Sequence, residues 1–176
     1  MTTIDLSGGL VLVTGGAGSI GRAIARRAEQ AGACIAVCDA DIKEADAVAA
    51  QSRANGAVAK SFEMDVTNRD MVKEVMDSAV KELGPLRGLV TAAGVLRTGP
   101  LSSQSHEDWQ RVMAVNVDGT FHAVQAAIPH LESSRGSIVT LGSVSAFIGS
   151  ADGGAYTTSK GALLSFSYAA ADELAP

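Results

Sequence analysis

Two side chains near the end of the chain, Tyr156 and Lys160 in "GAYTTSKGA", have the types and spacing needed for proton transfer. Residues i and i+4 lie one above the other on a helix, so the lysine ammonium would sit close to the phenol. A positive charge there stabilises a phenolate electrostatically and makes the tyrosine a candidate acid/base group. Because a Tyr-x-x-x-Lys pair is common by chance in helices, it predicts catalysis only in combination with other groups.

Two polar residues upstream are candidates for such a combination. Ser143 follows the apolar run "SIVTLG", thirteen residues before Tyr156, where its hydroxyl could hold a substrate oxygen. Asn116 lies inside a helical pattern, a position that the helix propensity of asparagine disfavours.

A glycine-rich stretch near the start, "TGGAGSIG" at Thr14–Gly21, follows an apolar run and precedes a helical pattern. A strand, a glycine turn and a helix N-terminus together bind anions such as phosphate, because unpaired N–H groups and the helix dipole face the ligand. The glycines fit both G-x-G-x-x-G and T-G-x-x-G-x-x-G, whereas T-G-x-x-x-G-x-G would require glycine at Ser19. The glycines alone do not choose among these spellings.

The remaining apolar runs and helical segments alternate along the chain. Strands are predicted at 10–14, 33–38, 57–64, 87–91 and 137–141, with helices at 20–31, 41–55, 68–83 and 105–131, and another helical pattern after Lys160. This alternation predicts an α/β fold, a doubly wound parallel sheet with helices on both faces. No linker or repeat interrupts it, so we expect one domain over residues 1–176.

Acidic and small residues stand where the predicted strands end. Asp39, after the second strand, could accept both ribose hydroxyls of an adenine nucleotide and would repel a 2′-phosphate, which favours NAD over NADP. Asp65, after the third, could accept from the adenine amino group. Each carboxylate has an alternative role as a helix N-cap, which Asp41 could also fill. After the fourth strand, the small residues of "AAG" at 92–94 leave room for a ribose.

Composition narrows the class of partner. The 176 residues carry 14 basic and 19 acidic side chains, a net charge of −5, and they contain no Lys/Arg run. This balance disfavours nucleic acid and anionic membranes, so we expect a small-molecule partner. The N-terminus lacks a secretory pattern, and no apolar run approaches the roughly 18 residues of a membrane span, which predicts a cytoplasmic protein. No His or Cys pair has ligand spacing, so no metal is expected.

Taken together, "TGGAGSIG", "LVTAAG", "EDWQRVMAVNVDGTF", "RGSIVTLGSVSA" and the Tyr156/Lys160 pair resemble the short-chain dehydrogenase/reductase family. The resemblance implies a Rossmann-like sheet of strand order 3-2-1-4-5 and an oxidoreductase. It also implies a catalytic tetrad in which Tyr156 is the acid/base, Ser143 orients the substrate oxygen, Lys160 binds the nicotinamide ribose and Asn116 supports a proton relay.

By the same resemblance, the residues expected to bind the cofactor are Gly15, Gly18, Ser19, Ile20, Gly21, Asp39, Asp65, Val66, Ala92, Ala93, Gly94, Tyr156 and Lys160. The downstream motifs favour the ordinary branch of the family, with Ser19 as a small replacement for the middle glycine. That replacement requires a negative φ at Ser19. Thr91 also departs from the asparagine that is common before A-A-G.

The predicted function is hydride transfer between NAD(H) and a secondary alcohol or ketone. Two alternatives stay open: an extended-branch nucleotide-sugar epimerase or dehydratase, suggested by the glycine spelling, and a nucleotide-binding fragment without turnover. Family members continue with two more strands and a substrate loop, so the chain resembles a member that lacks its C-terminal part. We therefore expect weak or absent turnover from the 176 residues, an open edge on the fifth strand, and a homo-oligomer, dimer or tetramer, assembled through about 105–131 and 156–174.

Overall fold

The computed structural model describes residues 4–175, and its strands form one parallel sheet of order β3-β2-β1-β4-β5. The sheet class and strand order confirm the prediction, and the strand ends differ from the predicted ones by no more than a few residues. The strands are β1 (Leu10–Thr14), β2 (Cys34–Asp39), β3 (Ala59–Glu63), β4 (Leu86–Thr91) and β5 (Ser137–Thr140).

Within residues 4–175, six α-helices connect and follow the strands. They are α1 (Ser19–Glu29), α2 (Ile42–Ala54), α3 (Arg69–Leu83), α4 (His106–Met113), α5 (Gly119–Ser134) and α6 (Gly154–Leu174). Among the helices of residues 4–175, none combines the length and the apolar character needed to cross a membrane.

Two of the predicted helical segments need correction. The segment 105–131 is not one regular helix, because a π-helical stretch, Ala114–Asp118, separates α4 from α5. The final helix begins at Gly154 and not after Lys160. Its first turns contain the buried polar residues Ser159 and Lys160, which interrupt the apolar period by which the sequence pattern is recognised.

The sheet has a hydrophobic core on each face because successive side chains of a strand point to opposite sides. Leu10 and Leu12 of β1 pack in one cluster with buried residues of α3 and α5. Val11 and Val13 pack in the other cluster with buried residues of α1 and α2. Helices on both faces leave the carboxyl edge of the sheet as the place where the loops gather.

The strands are in register at that edge. Thr14, the last residue of β1, is paired with Cys38 of β2 and with Thr91 of β4. Thr91 in turn is paired with Thr140 at the end of β5. The loops after β1, β2, β4 and β5 therefore leave the sheet side by side, and each one contains residues of the predicted site.

The outer edge of β5 has no strand beside it within residues 4–175, as expected. A groove of about 910 Å³ runs along this edge between α5 and α6. It lies at the side of the sheet, away from the glycine turn.

Candidate functional site

The turn after β1 packs tightly against the chain that leaves β4. Gly15 has a φ of +63°, and a Cβ there would lie 2.6 Å from the Cα of Ala93. A Cβ on Gly21 would lie 2.2 Å from the carbonyl oxygen of Gly15. Only glycine at both positions allows this close approach of backbone to backbone. The turn is therefore a preformed cradle whose backbone groups a ligand can reach.

Helix α1 begins directly after this turn. Its N-cap, Gly18, has no side chain that could accept from the first N–H groups of the helix, and the first turn carries no acidic residue. An uncapped helix N-terminus beside a glycine turn fits a phosphate group, so the cradle matches the diphosphate of a dinucleotide.

Ser19 is the first residue of α1 and has a negative φ, since only Arg135 and Asp152 have positive φ among the non-glycine residues described. The turn therefore accepts serine where the ordinary family spelling has glycine. Ile20, the next predicted cofactor residue, is mostly exposed on the first turn of α1.

Asp39 at the end of β2 is directed at the glycine turn. Its Oδ2 accepts from the backbone N–H of Ala17 at 3.0 Å, and its Oδ1 accepts from the N–H of Asp41 at 3.1 Å. The N-cap of α2 is Asp41, which accepts from Lys43 and Glu44. Capping therefore does not explain Asp39. A carboxylate has about four acceptor positions, so two backbone bonds leave capacity for ribose hydroxyls.

The Asp65 carboxylate, after β3, accepts hydrogen bonds from its own loop. Its Oδ1 accepts from the backbone N–H and the hydroxyl of Thr67 at 2.9 and 2.8 Å. These hydrogen bonds hold the pKa of Asp65 below its usual value. The N-cap of α3 is Asn68, so the alternative of an Asp65 cap is wrong. The neighbouring Val66 is buried, and its carbonyl is 2.9 Å from His122 Nδ1.

The "AAG" segment after β4 is attached to the end of β1. The N–H of Ala92 donates to the carbonyl of Thr14 at 3.1 Å, and the N–H of Ala93 lies 3.4 Å from the Thr14 hydroxyl. Gly94, the third residue of the segment, is exposed and lies near Asn116. The segment thus links the glycine turn to the second half of the site.

Asn116 lies in the π-helical stretch with its side chain almost completely buried, at 1% exposure. Its Oδ1 accepts from the N–H of Val95 at 2.8 Å, and its Nδ2 donates to the Val95 carbonyl at 3.1 Å and to Ser159 Oγ at 3.0 Å. The amide therefore joins the loop after β4 to α6. π-Bulges are frequent at functional sites, which agrees with the unusual position noted in the sequence.

Ser159 was not predicted and is completely buried between two predicted residues. Besides accepting from Asn116, its hydroxyl donates to the carbonyl of Tyr156 at 2.7 Å. Its hydroxyl therefore links the Asn116 amide to the backbone of Tyr156. Ser159 could have been predicted from its place in the sequence, because it lies between Tyr156 and Lys160 on the same helix.

Lys160 is 7% exposed, and its Nζ donates to the carbonyl of Leu141 at 2.7 Å. The same Nζ lies 5.7 Å from the centre of the Tyr156 ring, so the predicted i, i+4 pair is formed. Burial lowers the pKa of Lys160, because the charged form loses hydration.

Ser143 follows Leu141 by two residues and is the N-cap of a short 3₁₀-helix, Val144–Ala146. Its Oγ accepts from the N–H of Ser145 at 3.1 Å. That bond uses the oxygen as an acceptor and leaves its proton free to be donated. Lys160 therefore binds the short segment after β5 that also contains Ser143.

The structure thus brings the glycine turn, Asp39, the "AAG" segment and the four predicted catalytic residues to one edge of the sheet. Within the described part of the chain, no three or more His, Cys, Asp or Glu side chains come together in a way that could hold a metal ion. The cradle, the Asp39 carboxylate and a Tyr/Lys pair at one edge have the chemistry required to hold a dinucleotide and move a proton.

Known proteins share this arrangement. A family model described as short chain dehydrogenase matches residues 9–176. The chain is 40% identical to 2-(S)-hydroxypropyl-CoM dehydrogenase 3 of Xanthobacter autotrophicus, over 88% of this chain and 61% of that protein. The NAD⁺-bound crystal structure of a xylitol dehydrogenase superposes with a TM-score of 0.94 at 34% identity, over 97% of this chain and 66% of that one.

A gluconate 5-dehydrogenase from Burkholderia cenocepacia J2315, in complex with NADP and tartrate, superposes with a TM-score of 0.93 at 29% identity, over 98% of this chain and 68% of that one. The chain thus spans about two thirds of the length of these relatives. The three relatives are dehydrogenases, and two of their structures hold a nicotinamide cofactor. Since the family match covers nearly the whole sequence and the sheet has the expected order, the chain belongs to the short chain dehydrogenase family, an oxidoreductase family.

Proposed function

We propose that this chain is the nucleotide-binding and proton-transferring part of an NAD-dependent oxidoreductase that acts on a secondary alcohol or ketone. The observation that carries the proposal is the hydrogen-bonded set Val95, Asn116, Ser159 and Tyr156, with Lys160 beside the Tyr156 ring. It fixes a phenol and an ammonium at the sheet edge where the glycine cradle lies. A packing role alone does not require three buried polar side chains at this place.

The dinucleotide would be held by the residues already described. The cradle Gly15–Gly21 and the N-terminus of α1 face its phosphates, Asp39 accepts from the adenosine ribose, Asp65 and Val66 border the adenine, and the segment 92–94 borders the second ribose. When bound, the nicotinamide supplies the hydride acceptor or donor.

The protein residues then handle the substrate oxygen and its proton. The Ser143 hydroxyl donates a hydrogen bond to that oxygen and orients it. As a phenolate, Tyr156 takes the proton of an alcohol; as a phenol, it gives its proton to the oxygen of a ketone. The Lys160 ammonium stabilises the phenolate electrostatically and binds ribose hydroxyls. Asn116 and Ser159 are positioning residues, because they act through the backbone of Val95 and Tyr156.

Asp39 supports NAD as the cofactor. Its carboxylate suits two ribose hydroxyls, whereas a 2′-phosphate within about 4 Å would be repelled by on the order of a few kcal/mol at intermediate dielectric. The related structures contain either cofactor, one in complex with NAD⁺ and one with NADP. Fluorescence titration with NADH and NADPH measures which cofactor binds more tightly. Equal or tighter binding of NADPH would contradict the proposal that NAD is the cofactor.

The proton-transfer role is tested by Tyr156→Phe, which keeps the ring and removes the proton. In an active form of the protein, turnover across a panel of secondary alcohols should fall by about 10² or more while NADH affinity changes little. Tyr168→Phe is the matched control, since Tyr168 lies on the same helix and is 67% exposed.

Near-normal turnover of the Tyr156→Phe variant would refute the assignment. Conversion of UDP- or dTDP-sugars would instead favour an epimerase or dehydratase, and NADH binding without turnover on any substrate would favour a nucleotide-binding protein without this activity. We also propose a homo-oligomer, for which light scattering gives the mass, while the cytoplasmic location stays a prediction.

A further inference from the structure

A small charged cluster surrounds the place where the glycine turn meets the end of β2. We call it the ribose corner. It contains three carboxylates, one guanidinium and one backbone residue of the turn: Asp39, Asp41, Glu44, Arg22 and Ala17. Three negative side chains and one positive side chain give the corner a net negative charge.

Two of these side chains bind the same residue of the glycine turn. Asp39 Oδ2 accepts from the N–H of Ala17 at 3.0 Å, and Arg22 Nη2 donates to the carbonyl of Ala17 at 3.0 Å. The guanidinium and the carboxylate that faces the ribose are therefore joined through a single residue. Arg22 is thus a cation in direct contact with this part of the turn.

Glu44, in the first turn of α2, holds that guanidinium. Its Oε2 accepts from the same Nη2 of Arg22 at 3.3 Å, so both protons of this nitrogen are used, one by Ala17 and one by Glu44. The two side chains are 52% and 60% exposed. Ion pairs this exposed contribute little to stability, so the Arg22–Glu44 pair is not explained by a contribution to the stability of the fold.

The Arg22–Glu44 pair bears on the difference between the two cofactors. NADP differs from NAD by a phosphate on the adenosine ribose, and arginine binds phosphate well because its planar guanidinium donates several hydrogen bonds at once. Arg22 is thus a phosphate-binding group placed next to the ribose that Asp39 binds. Glu44 occupies one of its donors and offsets its charge.

We propose that Glu44 is a second determinant of cofactor choice, acting by holding Arg22 away from a 2′-phosphate. Asp39 repels that phosphate directly, and Glu44 removes the guanidinium that would compensate. The inference rests on the proposed binding of NAD at this turn and goes beyond it, since it assigns selectivity to an ion pair outside the strand end.

The test is a binding measurement on four variants beside the wild type: Glu44→Gln, Arg22→Gln, the double variant, and Glu82→Gln. Glu82 pairs with Lys60 of β3, away from the glycine turn, so its variant loses one carboxylate and one exposed ion pair elsewhere. NADH and NADPH are titrated by fluorescence. Adenosine 2′,5′-bisphosphate and 5′-AMP, which differ only in the 2′-phosphate, are titrated by calorimetry, so no turnover is required.

In Glu44→Gln we expect NADPH and the bisphosphate to bind about threefold to tenfold more tightly, with NADH and 5′-AMP changed less than about twofold. In the Arg22→Gln background, Glu44→Gln should give much less of this gain, because the gain needs the guanidinium. The gain should shrink at high salt, since the corner is exposed. Glu82→Gln should bind all four ligands as the wild type does.

Three outcomes would overturn the inference. If the wild type binds NADH tightly and Glu44→Gln leaves the NADPH affinity unchanged, Glu44 is not a determinant although the proposed function stands. If Glu44→Gln tightens NADPH binding as much in the Arg22→Gln background as in the wild type, removal of the carboxylate charge alone explains the gain and Arg22 plays no part. If the wild type binds neither dinucleotide, or prefers NADPH, the inference fails together with the proposed cofactor.

Discussion

Replacing Asn116 by alanine tests whether the buried amide connects the two halves of the site. The change removes three hydrogen bonds, two to the backbone of Val95 and one to Ser159 Oγ. The Val95 N–H and carbonyl would each lose a hydrogen-bond partner, and each loss costs about 1–1.5 kcal/mol because the groups are half-buried. The lost contact with Ser159 and the small cavity together add about 1 kcal/mol. We expect a loss of about 3–4 kcal/mol in the free energy of unfolding.

A loss of this size leaves a folded protein, because domains are stable by about 5–15 kcal/mol. Urea unfolding measures it, with an unchanged m-value as the sign that the same surface is exposed on unfolding. For a chain of this length the melting temperature should fall by about 2–4 °C for each kcal/mol. Asn68→Ala is the matched control: Asn68 is an exposed N-cap of α3, and its loss should cost about 1 kcal/mol.

Asn116→Asp separates the hydrogen bonds from the packing. The side chain keeps its size but loses both Nδ2 donors, so at neutral pH a buried carboxylate would face the Val95 carbonyl. This environment raises the pKa of the introduced acid, and a raised pKa means stability that is present at low pH and lost as pH rises through it. The variant should therefore recover part of its stability on acidification. If Asn116→Ala costs no more than Asn68→Ala, or if the Asp variant shows no such recovery, the amide does not connect the two halves.

The remaining predictions concern three other parts of the site. Gly15→Ala should lower the unfolding free energy by about 2 kcal/mol or more and weaken NADH binding at least about tenfold, because the φ of Gly15 is +63° and an added Cβ would lie against Ala93. The control is Gly161→Ala, in open space inside α6, which should stabilise the protein by about 0.5–1 kcal/mol. Lys160→Met should weaken both turnover and NADH binding, and unchanged NADH affinity would show that the ammonium does not reach the ribose. Asp65→Asn should destabilise at neutral pH, and its difference from the wild type should disappear as pH falls below the usual carboxyl pKa of 3.8, because the lowered pKa of Asp65 makes its contribution one that acid removes.

The sheet could be predicted from the sequence because its strands are apolar runs separated by helical periods, and Tyr156 and Lys160 could be placed because an i, i+4 spacing is local. The π-helical stretch Ala114–Asp118 could not be predicted, since so short a π-helix has no recognisable sequence period. It depends on the hydrogen bonds that the Asn116 amide makes to Val95 and Ser159. Whether Asp39 or Asp41 caps α2 also depended on which backbone N–H groups each carboxylate reached.

The order of the parallel sheet explains why so short a segment as 92–95 matters to both halves of the site. β4 lies beside β1, so the chain leaving β4 must pass over the glycine turn, and Ala93 contacts Gly15 there. Two residues later, Val95 is held by Asn116, and Asn116 reaches Tyr156 through Ser159. The backbone of this short segment thus joins the glycine turn to the turn of α6 that carries Tyr156, and the hydrogen bonds that make this connection are buried or half-buried, not contacts of exposed side chains.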